Sequence, residues 1–234
     1  MDLRHYGTLN TGMQAICHAL KRNITVITLN LHDNGITEIG ARALADLLEE
    51  NCFITNLDVS SNKIGTEGCR ALGQMLQNTS ALRQLNFSNI CSREGDILPL
   101  LEGLKESFYL KVLDLSHNCL EDHGASILGS ILSVTSSLES LNISWNKIST
   151  RGAVDVMDGL LECYTLKMLD FSWNSLSGAG AQALRSALEI NESLVYLDVS
   201  NTSIGPSEAK IIAKGNFFSH AVTTDLVLYK QQNK

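Results

Sequence analysis

Residues 110–137 read LKVLDLSHNCLEDHGASILGSILSVTSS, and this stretch decides the fold. Val112 to Ser116 alternate, a period of two that predicts a strand with Leu113 and Leu115 turned inward and Asp114 and Ser116 outward. Asn118 follows at the turn, where a side-chain amide can bond backbone groups that a tight turn leaves bare. From Gly124 a helix is expected, with Ile127, Leu128, Ile131 and Leu132 making one buried face.

The same unit recurs in both directions at a spacing of 28 residues. Its first apolar anchors are Val26, Ile54, Leu82, Leu110, Leu138, Leu166 and Leu194, each followed three residues later by a Leu and two further on by an aliphatic residue or Phe. A Gly-led apolar stripe returns as GARALADLLEEN from Gly40, GCRALGQMLQN from Gly68, GAVDVMDGLL from Gly152 and GAQALRSALEIN from Gly180. A fixed period of this length marks a solenoid. Parallel strands separated by helices then require a curved parallel sheet with the helices outside.

The pattern LxxLDLSxNxL followed by G-A-x-A-L-x-x-x-L resembles the ribonuclease-inhibitor type of leucine-rich repeat, from about residue 1 to about residue 230. In its short array it is also similar to the leucine-rich repeat-containing 74 proteins. The resemblance implies an α/β right-handed horseshoe, its parallel sheet concave and its helices convex, that binds a protein partner on the concave face. The expected organisation is a single domain over 1–234, with a partial first repeat at 1–25, seven repeats over 26–222 and a terminal strand or cap at 223–234.

Bulk composition narrows the function. A net charge of -7 disfavours nucleic acid as the main partner, because phosphate binding needs a basic face. No apolar run approaches the roughly 18 residues a transmembrane helix requires, so no membrane partner is expected. Asp2, Arg4 and His5 interrupt the start, which does not read as a secretory signal. The cysteines Cys17, Cys52, Cys69, Cys91, Cys119 and Cys163 show no paired spacing, and the reading is a reducing, cytoplasmic setting. The N-x-S/T triplets at Asn23, Asn86, Asn142 and Asn191 are then products of the repeat rather than glycosylation acceptors.

The pattern breaks in three places. Ile90 replaces the turn Asn in SNICSREGD, and Pro99 sets the next helix to begin near Leu98. In the last repeat Thr202 replaces the Asn and Pro206 stands where the helix should begin. Beyond it the register slips by one residue toward a final strand at Leu226 and Leu228, with Phe217 and Phe218 as a lid. At the other end Met1–Leu3 falls at the strand position of an incomplete repeat whose helix carries Gly12, Ala15, Ile16, Ala19 and Leu20. The expectation is a truncated form, or an open first coil covered by another chain; the protein is otherwise taken as a monomer, with end-to-end association through that coil as the alternative.

Outward positions of stacked coils form columns about 4.8 Å apart. One reads Asn30, Asp58, Asn86, Asp114, Asn142, Asp170, Asp198, where only the last two put like charges side by side. The next is His32, Ser60, Ser88, Ser116, Ser144, Ser172, Ser200, a shallow floor open to a partner. The third, Asp33, Ser61, Asn89, His117, Trp145, Trp173, Asn201, carries both tryptophans of the chain in successive coils. Aromatic anchors dominate binding hot spots, and Lys111, Glu139, Lys167 and Tyr196 supply a polar rim. The candidate partner-binding patch is therefore Lys111, Asp114, His117, Glu139, Trp145, Lys167, Asp170, Trp173 and Tyr196.

No phosphate-cradling, HExxH or GxSxG motif occurs, and no nucleophile has an evident base. His117, Cys119, Asp122 and His123 match no zinc spacing. The reading is a non-enzymatic interaction module without cofactor or metal. Its alternatives are an activator-type regulator of a small GTPase, or a fragment of a larger intracellular sensor or scaffold.

Overall fold

The computed structural model describes residues 1–91, 93, 95–213 and 225–227. The chain forms two compact units, Met1–Cys119 and Leu120–Lys234. In the first, α1 (Leu9–Leu20), β1 (Thr28–Asn30), α2 (Glu38–Glu50), β2 (Asn56–Asp58), α3 (Gly65–Asn78), β3 (Gln84–Asn86), α4 (Leu98–Leu104) and β4 (Val112–Asp114) alternate. The second continues with α5 (Glu121–Leu132), β5 (Ser140–Asn142), α6 (Thr150–Leu161), β6 (Met168–Asp170), α7 (Ala179–Ile190), β7 (Tyr196–Asp198), α8 (Pro206–Ala213) and β8 (Asp225–Val227). Each unit is an α/β repeat solenoid of alternating parallel strands and helices, and within each unit neighbouring strands pair in chain order.

The periodic leucines set the register. Leu29, Leu57, Leu85 and Leu113 pair Cα to Cα in one unit, as do Leu141, Leu169 and Leu197 in the other, and all of these are buried. Burial of one such side chain contributes about 2 kcal/mol. The last pairing joins Leu197 to Leu226, so the slip of one residue read from the sequence is present in the backbone. Phe217, Phe218 and Leu228 lie outside the described residues. Residues 1–3 bond alongside β1, through Leu3 N to Asn30 O (2.9 Å) and Asn30 N to Met1 O (3.0 Å).

The turn asparagines behave as their chemistry requires. Asn62 Oδ1 accepts from Asn34 N and Ile36 N of the preceding coil, while its Nδ2 donates to Leu31 O, Val59 O and Ser60 O. Asn174 repeats this pattern, and Asn118 varies it, its Oδ1 accepting from the consecutive Ile90 N and Cys91 N while its Nδ2 donates to Phe87 O and Leu115 O. Thr202 replaces part of it by donating its hydroxyl to Val199 O at 2.6 Å.

Three local expectations need correction. The recurrent glycine does not open the helix: α2, α3, α5, α6 and α7 begin one to three residues before Gly40, Gly68, Gly124, Gly152 and Gly180. Its real task is close approach, since a Cβ on Gly152 would stand 2.9 Å from that of Ala125 and 2.7 Å from an Asp122 carboxylate oxygen. The buried face of α1 is Met13, Cys17 and Leu20, whereas Ala15 and Ala19 are exposed. Ile127 is only half-buried, and Gly129 takes its place at the interface of α5 with α6. The helix boundaries set by proline, Leu98 for α4 and Pro206 for α8, agree with the sequence.

Candidate functional site

Strands β1 to β7 end in the same turn, built from two residue types. In the Asn/Asp column the side-chain oxygen accepts the backbone N–H two residues on: Asp58 from Ser60, Asn86 from Ser88, Asp114 from Ser116, Asn142 from Ser144, Asp170 from Ser172 and Asp198 from Ser200, at 2.8–3.0 Å. Short polar side chains are favoured there because they mimic a backbone turn. The serines are therefore not the open floor expected from the sequence. Ser60, Ser116, Ser144 and Ser172 are buried, and the Ser88 and Ser144 hydroxyls fold back onto the Asn two residues earlier.

One residue beyond the serine the backbone turns left-handed. Asp33, Ser61, Asn89, His117, Trp145, Trp173 and Asn201 all have φ between 49° and 57°. Asn, Asp and His tolerate this conformation, and bulky residues rarely adopt it. Trp145 and Trp173 do so in adjacent coils of the second unit, their N–H groups bonded to Ser172 O and Ser200 O. Their rings stack at 3.9 Å between centroids and 16° between planes, and each residue remains nearly half exposed (43% and 46%).

The other expected patch residues fall into place unit by unit. In the second unit, Lys167 Nζ bonds Glu139 Oε2 at 2.7 Å, so these two rim charges neutralise one another. Asp170 faces Asp198 in register, and Tyr196 is half-buried beside Met168. In the first unit, Asp114 is half-buried at its turn, whereas Lys111 and His117 are exposed. Sequence reasoning missed Met168, which is 47% exposed between Ser140 and Tyr196 in the strand register. An apolar residue at an outward strand position was the available signal.

Of the residues weighed for chemistry, Asp122 has a structural role. Asp122 Oδ1 accepts from Ser149 N and Gly152 N at the start of α6, and Ser149 Oγ donates to Oδ2 at 2.6 Å. Burial tends to raise the Asp122 carboxyl, but these bonds outweigh it and hold the group below its ordinary 3.8. Cys119 is buried and His123 exposed. The fold also joins what spacing did not suggest: the Cys69 and Cys91 sulfurs are 3.8 Å apart. The hydrogen bond from that thiol neighbour, followed by burial, pushes the Cys91 thiol far up. Burial also pushes Cys17 up to about 12, with Asp46 adding to the effect. Such thiols stay protonated and poorly nucleophilic at neutral pH. His5 Nδ1 lies 2.9 Å from Asp33 Oδ2, and His32 Nδ1 lies 2.8 Å from Ser60 Oγ, a polar cluster the sequence reading did not anticipate.

A second amide column was missed as well. Asn51 Oδ1 accepts from Phe53 N and Ile54 N where the chain returns to its strand, and Nδ2 donates to Leu20 O and Asn23 O. Asn191 does the same with Ser193 N, Leu194 N, Leu160 O and Cys163 O. The N-x-S/T asparagines Asn23, Asn86, Asn142 and Asn191 all hold turns in this way.

A family described as Leucine Rich repeat matches residues 22–45, 50–73, 106–129, 135–157 and 162–184, together half of the chain. The chain belongs to the leucine-rich repeat family. The matched segments pass over the coil that contains Ile90, where the turn amide is absent. Among solved structures, this leucine-rich repeat protein is similar to leiomodin-1 actin-binding site 2 (ABS2), with a TM-score of 0.51 and 20% identity over 64% of this chain and 88% of that one. It is also similar to the tropomodulin C-terminal domain of Caenorhabditis elegans, with a TM-score of 0.49 and 15% identity over 75% and 90%. At 20% identity the leiomodin likeness shows the fold alone. No curated protein matches the chain. Leucine-rich repeats are protein-interaction modules, typically non-enzymatic, that present an extended surface built from successive repeats. Among the described residues no helix is long and apolar enough to cross a membrane.

Proposed function

We propose that this leucine-rich repeat protein is a non-enzymatic interaction module that docks a protein partner on the outward face of its strands. The residues assigned to docking in the second unit are Glu139, Trp145, Lys167, Asp170, Trp173 and Tyr196, with Met168 added; those assigned in the first unit are Lys111, Asp114 and His117. The observation that carries the reading is the exposed Trp145–Trp173 stack. Two large rings left nearly half in solvent, on backbone that favours small polar residues, serve packing poorly and binding well. The asparagine and glycine ladders hold the coils together without them, so the pair is dispensable for the core.

Five of the six cysteines are buried as thiols and Cys52 is exposed, which supports a reducing, cytoplasmic setting. The test is affinity capture with the wild-type chain and with W145A/W173A, each first verified as folded by circular dichroism. A partner retained by the wild type and lost from the variant is the expected result, since hot-spot truncations cost about 2 kcal/mol or more. Equal capture by both would remove the reading, as would a variant that fails to fold.

A further inference from the structure

Two carboxylates, one three residues before Trp173 and one on the neighbouring strand, have no counter-charge among the described residues. Asp170 and Asp198 are Cα partners on adjacent strands, and no described cation lies within ion-pair distance of either. Like charges directly opposite one another destabilise a sheet. Earlier strands avoid this by alternation, with Asn30, Asn86 and Asn142 interleaved among Asp58, Asp114 and Asp170. The turn does not require a charge, because Asn142 accepts from Ser144 N at 3.0 Å much as Asp198 accepts from Ser200 N at 2.8 Å. Each aspartate gives its turn a single oxygen, Oδ1.

The aromatic half of the feature is equally incomplete. Trp173 follows Asp170 by three residues, and its N–H bonds Ser200 O, two residues past Asp198. Among the described residues its only ring contact is with Trp145, on one side. An exposed indole near two carboxylates that no described cation neutralises, in a chain of net charge -7, complements a cation that also offers a flat apolar surface. Guanidinium has that chemistry. It is planar, stacks on aromatic faces and donates in a fork to carboxylates, whereas an ammonium is a compact, strongly hydrated point charge.

We infer that the partner presents an arginine-bearing basic segment to Asp170, Asp198 and the Trp145–Trp173 stack. The inference rests on the docking reading above and names the partner's chemistry at that site. Both tryptophans of the chain lie at the site, so selectively excited tryptophan emission reports on it alone.

The experiment titrates the full chain, at low ionic strength, with end-blocked hexa-arginine, hexa-lysine and hexa-glutamate peptides. The variant is D170N/D198N, which keeps both turn acceptors as Asn142 does. The expected result is a saturable change with hexa-arginine, weaker with hexa-lysine and absent with hexa-glutamate. Binding of hexa-arginine should fall about tenfold or more in D170N/D198N, the loss of a charge-assisted contact. No saturable change, equal binding to the variant, or no preference for arginine over lysine overturns the inference. Partner capture separates the two levels. A partner lost from W145A/W173A but kept by D170N/D198N overturns the basic segment and leaves the docking face standing. A partner kept by both variants removes the docking face itself.

Discussion

Replacement of Asn174 by Ala tests the amide ladder at a site where every bond is visible. Oδ1 accepts from Asn146 N at 3.0 Å and from Ile148 N at 3.1 Å, and both of those residues are essentially inaccessible to water. Truncation strands two buried donors, each costing about 1–3 kcal/mol. It also removes the Nδ2 donations to Ile143 O, Phe171 O and Ser172 O, of which Ser172 O keeps Trp145 N and Ile143 O keeps Asn146 Nδ2 as donors. Allowing for partial relaxation, N174A should destabilise the second unit by about 4 kcal/mol. N174T should cost about half as much, because a threonine hydroxyl can bond the carbonyl three residues back, as Thr202 does with Val199. Urea denaturation followed by tryptophan emission measures both, since Trp173 adjoins the substituted residue. A loss below about 1 kcal/mol for N174A, or equal losses for Ala and Thr, would refute the ladder as the source of stability.

Two further perturbations probe contacts between helices. A Cβ on Gly159 would meet the Gly129 carbonyl carbon at 2.9 Å, so G159A should force α5 and α6 apart and lower stability by about 1–3 kcal/mol in thermal melts; an unchanged melt would show that the helices slide freely. The Asp122 carboxyl, held below 3.8, contributes stability that is present above that pH and lost as pH falls through the lower folded value. D122A should therefore lose about 1 kcal/mol at pH 6, and the gap to wild type should close in acid, as read by urea melts at both pH values.

Much of this architecture is legible in the letters. A strand residue that faces the core once per coil must be apolar in every coil, so Leu29 to Leu197 announce the register directly. Contacts that lie diagonally escape a fixed period. Gly129 meets Gly159 and Cys69 meets Cys91 at separations unlike the repeat, and no column lists them together. The second amide position is masked by substitution, for its column reads Asn23, Asn51, Thr79, Ser107, Thr135, Cys163 and Asn191. The serine column misled because a small polar residue suits an open floor and a buried turn equally well; only hydrogen bonds to Asp or Asn two residues earlier separate the two. At the candidate site the tryptophans were legible as a pair of identical letters one period apart. Their left-handed backbone and the pairing of Glu139 with Lys167 required coordinates.

The coil containing β5 and α6 is held from both sides by groups that do not belong to it. Asn174, from the coil after, bonds its loop at Asn146 and Ile148, and Asp122, from the coil before, bonds the start of its helix at Ser149 and Gly152. Loss of a few residues inside such a coil would misalign acceptors on one neighbour and donors on the other simultaneously. Removal of one whole coil instead brings an equivalent Asn and an equivalent helix start into the vacated places. The length of this chain is thus quantised: insertions and deletions are tolerated in whole turns of the solenoid, and a partner surface spread over several turns can be lengthened or shortened without redesign of any one of them.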